Sequence, residues 1–374
     1  MKEFAFDLKG LIKTIKSSRL KLKVTLMPDF FLDHFIILKF PINSFYNCII
    51  KSAKQGGGNI PFIEQEIFKG GNAVNTAFAL DGLGASAHLI VKTSKLGYML
   101  LKYFAKHTRI DISHVKVNGK IALTSALEFF LNGRLVNVML NDSGSVSNFG
   151  FNELNRKDKE LIKNSDFVCV FNWSQNLKGT DLIKKVFGLL KNFGKGKSYL
   201  DTGDPSYRKN EVGNLVKIMK KPLIDVLSVN ENEAFQYALY LDKKLLKYKF
   251  NLEEKAFLCA KILHEILKTR VDLHTLKYSA SFINGESHIA PSFKVKALRV
   301  TGAGDVWNAA NIYGEFLKLK PEERLLIANA AACSYISSQT IGTISLKSLK
   351  EFLRKVIKGE VKLYSLKSFW IKNV

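Results

Sequence analysis

The chain has 374 residues, 47% hydrophobic and 11% aromatic, enough to bury a large core and too apolar for a disordered protein. It has no apolar run of the ~20 residues that a membrane-spanning helix needs. Its formal net charge of +24 admits three explanations: nucleic-acid binding, an anionic substrate, or a general charge habit. The lysines are scattered rather than gathered with interleaved aromatics, which argues against nucleic acid as a partner.

Taken in chain order, MKEFAFDLKGLIKTIKSSRLKLK lacks the apolar core and cleavage site of a signal peptide. It is expected to form a basic, amphipathic extension over residues 1–22. KLKVTLMP (21–28) and FIILKF (35–40) read as strands. GGNAVNTAFALDGLG (70–84) reads as a helix with Ala73, Ala77, Leu80 and Leu83 on one side and a glycine-rich stop. AHLIVKT (87–93) follows as a strand and LGYMLLKYFAKH (96–107) as a helix. TSALEFFL and LVNVML predict a hairpin around Asn132–Gly133.

Beyond residue 161 the rhythm is strand, helix, strand: DFVCVF, a helix over 179–193, KSYLD, a basic helix, IDVLSV, and a long helical region from 231. Such alternation predicts an α/β fold, a three-layer α/β/α domain around a mostly parallel sheet. Residues 35–69 and 115–147 break the rhythm and are expected to form a small β lid on a domain spanning 23–374. Cys48, Cys169, Cys259 and Cys333 lie far apart with no C-x-x-C pair, as expected of a reduced, cytoplasmic chain without structural zinc.

The most informative stretch is RVTGAGDVWNAA (299–310). With FKVKALRV (293–300) read as a strand, Gly302, Ala303 and Gly304 stand where the next helix begins. The unpaired N–H groups of that first turn, joined to the helix dipole, can cradle a phosphate, because no bulky side chain keeps it away. Asp305 beside them can act as the base toward an attacking hydroxyl, or serve only as a first-turn acid favoured by the dipole. This stretch alone leaves both readings open.

TGAGD before a small-residue helix, with GGNAVNTA far upstream, resembles the PfkB family of carbohydrate and nucleoside kinases, the ribokinase-like fold, over about residues 23–355. The resemblance implies Asp305 as catalytic base and the backbone of Gly302, Ala303 and Gly304 as anion hole. It further implies that Asp33, in VTLMPDFFLDHFI, and Gly70, Gly71 and Asn75 contact the acceptor. LDTGDPS (200–206) looks like the family's Asp-Pro strand end. Asn230 and Glu233, in DVLSVNENEA, match an N-x-x-E motif that supports magnesium and phosphate, Glu233 through water. They can equally be a helix cap and its reciprocal acid. Asn329, in ANAAACSYISS, falls on a helix beside the adenine pocket; His274 either lines the nucleotide cleft or sits in the core.

Two departures stand out: LHTLKYSASFINGE lacks the family's Gly-x-x-Gly turn, and KTSKLG replaces its Gly-Asp-Asp. The LHT…A and TGAGDVWNAANIYGE segments look like those of archaeal members. The implied activity is magnesium-dependent transfer of the terminal phosphate of ATP or ADP to a hydroxyl of a sugar or nucleoside. The alternatives are a sugar phosphate such as ribose 1-phosphate as acceptor, which Lys69, Lys92 and Lys95 near the expected mouth would attract, or a silent sugar- or nucleotide-binding protein. A homodimer through the lid and the absence of a membrane partner complete the expectations.

Overall fold

Six short, fully apolar-cored segments line up in parallel: β1 (Lys23–Met27), β4 (Ser86–Leu89), β7 (Phe167–Phe171), β8 (Lys197–Asp201), β9 (Val226–Val229) and β10 (Arg270–His274). The hairpin β11 (Tyr278–Ile283) and β12 (Glu286–Pro291) adds two antiparallel strands, giving the order β12-β11-β10-β9-β8-β7-β1-β4. β7 reads FVCVF with every residue buried, as a strand covered on both faces must. The computed structural model describes residues 6–15, 20–132, 134–243, 245, 251–299, 301–338 and 343–366.

Helices cover both faces, each with its own apolar core. α1 (Leu8–Thr14), α3 (Asn72–Gly82), α4 (Lys95–Phe104), α10 (Ala303–Phe316), α11 (Pro321–Ile336) and α12 (Leu346–Ile357) contribute to one core. α5 (Arg156–Lys163), α6 (Gly179–Phe193), α7 (Val212–Met219), α8 (Glu231–Leu241) and α9 (Leu252–Leu267) contribute to the other. The basic N-terminal segment buries Leu11 and Ile15 in the first of these cores.

A second sheet, ordered β3-β2-β5-β6, is built from β2 (Phe31–Ile37), β3 (Glu64–Gly70), β5 (Ala122–Leu131) and β6 (Arg134–Asp142). The amphipathic α2 (Ile42–Lys54) is inserted between β2 and β3. The strand expected at 35–40 starts earlier, at Phe31, so Asp33 lies inside it rather than before it. The expected hairpin joins β5 to β6; its Gly133 lies outside the described residues.

Two expectations need correction. The helical region after residue 231 is two helices, α8 and α9. The strand expected over 293–300 is reduced to the two-residue β13 (Phe293–Lys294), paired with β14 (Lys362–Leu363) rather than with the large sheet. Residues 295–299 form no strand, and Val300 lies outside the described residues. Gly302 and Gly304 therefore do not follow a strand of the main sheet.

Candidate active site

The ends of β1, β7, β8, β9 and β10 all point one way, toward the N-termini of α3 and α10, where open α/β sheets bind ligands. Buried polar contacts hold α10 there. Asn308 Nδ2 donates to Asp201 Oδ2 at 2.6 Å, while the hydroxyls of Tyr199 and Ser228 donate to Asn308 Oδ1 at 2.8 and 2.7 Å. One turn on, Asn311 Nδ2 donates to Asp272 Oδ2 at 2.8 Å, and Arg324 Nη1 reaches the same oxygen at 2.9 Å. Each partner is buried, so a displaced α10 would leave several polar groups without partners, which costs about 1–3 kcal/mol apiece.

Gly302 caps α10 with φ +83°, a left-handed conformation that favours glycine. Ala303, Gly304 and Asp305 then form the first turn, whose N–H groups have no acceptor within the helix. A β-carbon on Gly304 would meet only His274 Cε1, at 3.5 Å, which is ordinary contact. Among the described residues nothing else comes within 4 Å of that position.

Asp305 is 7% exposed, and burial pushes its carboxyl up to about 8, helped by the negative charges of Asp201 and Asp29. Asn75 Nδ2, from α3, donates to its Oδ2 at 3.0 Å. Lys69 Nζ donates to Asn75 Oδ1 at 3.1 Å and stands 4.4 Å from the centre of the Phe78 ring. Burial pushes the Lys69 ammonium down to about 8, against the pull of Asp305 and Asp33. A group whose acid and base forms are both available near neutrality is what proton transfer from a hydroxyl requires.

Asp29, which the sequence reading passed over, is fully buried and caps α3: it accepts from the N–H groups of Asn72 and Ala73 at 2.7 and 3.0 Å and from Asn172 Nδ2 at 3.0 Å. Gly71, at φ +92°, makes that approach possible, since a β-carbon would lie 3.0 Å from the Asp29 carbonyl oxygen. Gly70 is required by a neighbour too: its β-carbon would overlap the Asp33 carboxylate. The signal for Asp29 was an acid two residues beyond a buried strand, four before the Asp33 that was chosen.

The lid hangs over this end, enclosing a cleft of about 540 Å³. Strand register puts Asp33 between Phe68 and Thr124, Phe35 between Glu66 and Ala126, and Ile37 between Glu64 and Glu128. Asp33, Phe35, Ile37, Glu66, Phe68 and Glu128 all line the cleft, with Phe35 and Phe68 edge to face at 5.6 Å. Burial pushes Asp33 up to about 6, while the Thr124 hydroxyl and Lys69 oppose it. Burial and the neighbouring Glu66 raise Glu128 as well. Lys92 is elsewhere, bonded to Glu153 at 2.8 Å, and neither it nor Lys95 lines the cleft.

Asn230 and Glu233 form a reciprocal cap at the start of α8, each side chain accepting from the other's backbone N–H at 3.0 Å. Burial raises Glu233 well above the usual carboxylate range, and the charges of Asp201, Asp204 and Glu231 add to this. Among the described residues no three His, Cys, Asp or Glu side chains come together to hold a bare metal ion. The concentrated negative field around Glu233 suits a hydrated cation held through water.

His274 ends β10 beside Gly304, its ring 4.9 Å from that of Trp307, and burial pushes it down to about 4, so it is neutral. Its Nε2 is buried and has no hydrogen-bond partner among the described residues. Asn329 sits behind Trp307: Oδ1 accepts from Trp307 Nε1 at 2.9 Å and Ser279 Oγ at 2.5 Å, while Nδ2 donates to the carbonyls of Ala290 and Pro291 at 3.2 and 3.1 Å. The turn that lacks the family's glycines closes through Thr275, whose N–H and hydroxyl both donate to the Tyr278 carbonyl, at 2.9 and 2.8 Å. Tyr278 itself turns into the core.

A family model described as "pfkB family carbohydrate kinase" matches residues 45–348. Solved structures share the fold. Arabidopsis thaliana ribokinase, complexed with ribose and ATP, is 18% identical with a TM-score of 0.67, covering 90% of this chain and 99% of its own. Adenosine kinase from Sinorhizobium meliloti is 16% identical with a TM-score of 0.68, covering 90% and 100%. 2-Dehydro-3-deoxygluconokinase from Thermotoga maritima is 15% identical with a TM-score of 0.70, covering 90% and 100%.

Proposed function

The chain belongs to the pfkB family of carbohydrate kinases, a phosphotransferase with a hydroxyl acceptor, and we propose that it phosphorylates a neutral sugar or nucleoside with Asp305 as the base. The observation that carries this reading is the placement of Asp305 on the same helical turn as the open N–H groups of Ala303 and Gly304. One turn thus offers a proton acceptor and an anion cradle about one residue apart.

In the reaction the acceptor hydroxyl loses its proton to Asp305 as its oxygen bonds to the terminal phosphorus. The bond from that phosphorus to the bridging oxygen breaks, and the nucleotide departs one phosphate shorter. The N–H groups of residues 302–304 stabilise charge on the phosphoryl oxygens as it moves, acting through a fixed dipole that needs no reorganisation. Asp33 and Asn75 hold the acceptor, with Gly70 and Gly71 leaving room for the Asp33 and Asp29 carboxylates beside it. His274 Nε2 is available to the nucleotide, and Asn329 supports the Trp307 wall behind it. Magnesium bound with the nucleotide would neutralise phosphate charge, and Glu233 with Asn230 is placed to hold it through water.

Asp33, Glu66 and Glu128 outnumber Lys69 and Arg299 in the cleft, which favours a neutral acceptor over a sugar phosphate. Ile67, Leu123, Val138 and Leu140 are exposed on the lid sheet, which supports pairing of two copies through the lid. The test is acceptor-dependent consumption of ATP or ADP across sugars, nucleosides, inositols and sugar phosphates. Nucleotide consumption that no acceptor stimulates, with magnesium present, would refute the reading.

A further inference from the structure

We propose that Lys69 is a positioning residue of the transfer centre: through Asn75 it orients Asp305 and favours the charged form of that carboxylate. The proposal rests on Asp305 being the base. Three contacts carry it. Lys69 Nζ donates to Asn75 Oδ1 at 3.1 Å, Asn75 Nδ2 donates to Asp305 Oδ2 at 3.0 Å, and the Lys69 ammonium lies over the Phe78 ring at 4.4 Å. An amide that accepts from a cation at one end is fixed in orientation, so its NH₂ must face Asp305. Without the ammonium nothing else fixes the Asn75 oxygen, and a flipped amide could only accept from the protonated Asp305 carboxyl, which would favour its neutral form.

The charges around Asp305 explain why a cation is needed there. Asp201 from the end of β8 and Asp29 from beyond β1 both act on it unfavourably. α3 contributes Asn75 and the Thr76 hydroxyl, which donates to the Asp305 carbonyl at 3.4 Å. α11 contributes the Tyr335 phenol, whose proton is held more tightly by burial, with Asp305 adding to this and Arg299 opposing it. Asp29 is satisfied by the α3 N-terminus and Asn172, and Asp201 by Asn308 and the Gly203 N–H. Lys69 is the cation that offsets their combined field at Asp305, with Asp33 from β2 on its other side. β3 delivers it from two residues before the Gly71 turn, so the turn that seats the Asp33 and Asp29 carboxylates also brings the lysine to the base.

The test compares Lys69→Met and Lys69→Arg with wild type. Carbon-detected NMR follows the Asp305 carboxylate through a pH titration, its resonance assigned by its loss in Asp305→Asn. The titration midpoint is expected to rise by about one to three pH units in the Met variant, the usual effect of an adjacent charge, and to stay near wild type in the Arg variant. An unchanged midpoint in the Met variant overturns the proposal. Turnover is read beside it, with ATP and whichever of ribose or adenosine is phosphorylated. The acidic limb of kcat should move up in the Met variant, and the alkaline limb, set by loss of the lysine proton, should disappear in the Arg variant. An equal loss at every pH would mean that Lys69 is only structural and would also overturn it. If neither acceptor is phosphorylated, the kinase reading is what suffers, and the carboxylate titration still decides the role of Lys69. Should the Met variant not fold, Lys69→Gln is the substitute, since it removes the charge and keeps a donor.

Discussion

Asn75 Nδ2 donates to Asp305 Oδ2 at 3.0 Å, joining the first turns of α3 and α10 across 230 positions of the chain. The contact makes an acceptor-side residue and the proposed base into one unit. Asp305→Asn keeps the shape and can still accept from Asn75, but it has no proton affinity. Turnover should fall by roughly 10²–10⁴, the usual worth of a positioned base, with fold and ligand binding intact. Kinetics beside calorimetric binding of nucleotide check this, and near-normal turnover removes Asp305 from the mechanism.

The two glycines of the cradle should fail differently. Gly302→Ala forces a β-carbon into the left-handed region at φ +83° and within 3.1 Å of Tyr335 Oη, so it should lower stability by about 1–2 kcal/mol. Gly304→Ala puts a β-carbon in ordinary contact with His274 alone among the described residues, so it should leave thermal stability near wild type while raising KM for the nucleotide. Thermal melts and initial rates on both variants separate the two effects. A Gly304 variant with normal nucleotide use would mean that no phosphate comes there.

Asp33 should make acceptor binding depend on pH. Only its ionised form accepts from hydroxyls on both oxygens, and burial has pushed it up to about 6. Affinity is therefore expected to be weak below that value and to rise as pH passes upward through it. Asp33→Asn should lose roughly 10–100-fold in affinity, the worth of a charge-assisted hydrogen bond, and should flatten the dependence. Acceptor titrations from pH 5 to 8 (roughly the span a carboxylate of this kind needs) measure it.

Acceptor charge should be set by the lid glutamates and not by Lys92. Lys92→Asp should leave the acceptor profile and its salt dependence unchanged, because Lys92 faces Glu153 outside the cleft. Glu128→Lys should improve kcat/KM for a sugar phosphate on the order of tenfold relative to its neutral counterpart, since a like charge becomes an opposite one. A wild-type enzyme that prefers the phosphorylated acceptor, with a preference lost in Lys92→Asp, would reverse this assignment.

The parallel sheet, its helices, the second sheet's hairpin and the glycine turn before Asp305 were legible in the sequence because each is written in short-range pattern. Strand and helix periods repeat within about ten residues, and a glycine declares a backbone need at its own position. Gly302, Gly70 and Gly71 are such cases, although the reason for Gly70, the Asp33 carboxylate, stayed hidden. What only the tertiary structure decided is which side chains meet. Asp29 caps a helix 43 residues away, Asn308 holds α10 to Asp201 across 107, and the Lys69–Asn75–Asp305 chain spans two elements that no local signal connects. The strand expected before Gly302 shows the converse: residues 295–299 have strand-like composition, yet they pair with neither the edge strand β12 nor any other strand of the main sheet. Charge is the clearest case. The sum of +24 describes the chain, but burial beside Asp201 and Asp29, and the lid register that puts Glu66 and Glu128 in the cleft, set the field an acceptor meets. Electrostatic effects fall off with distance and grow with desolvation, and both are properties of the folded arrangement alone.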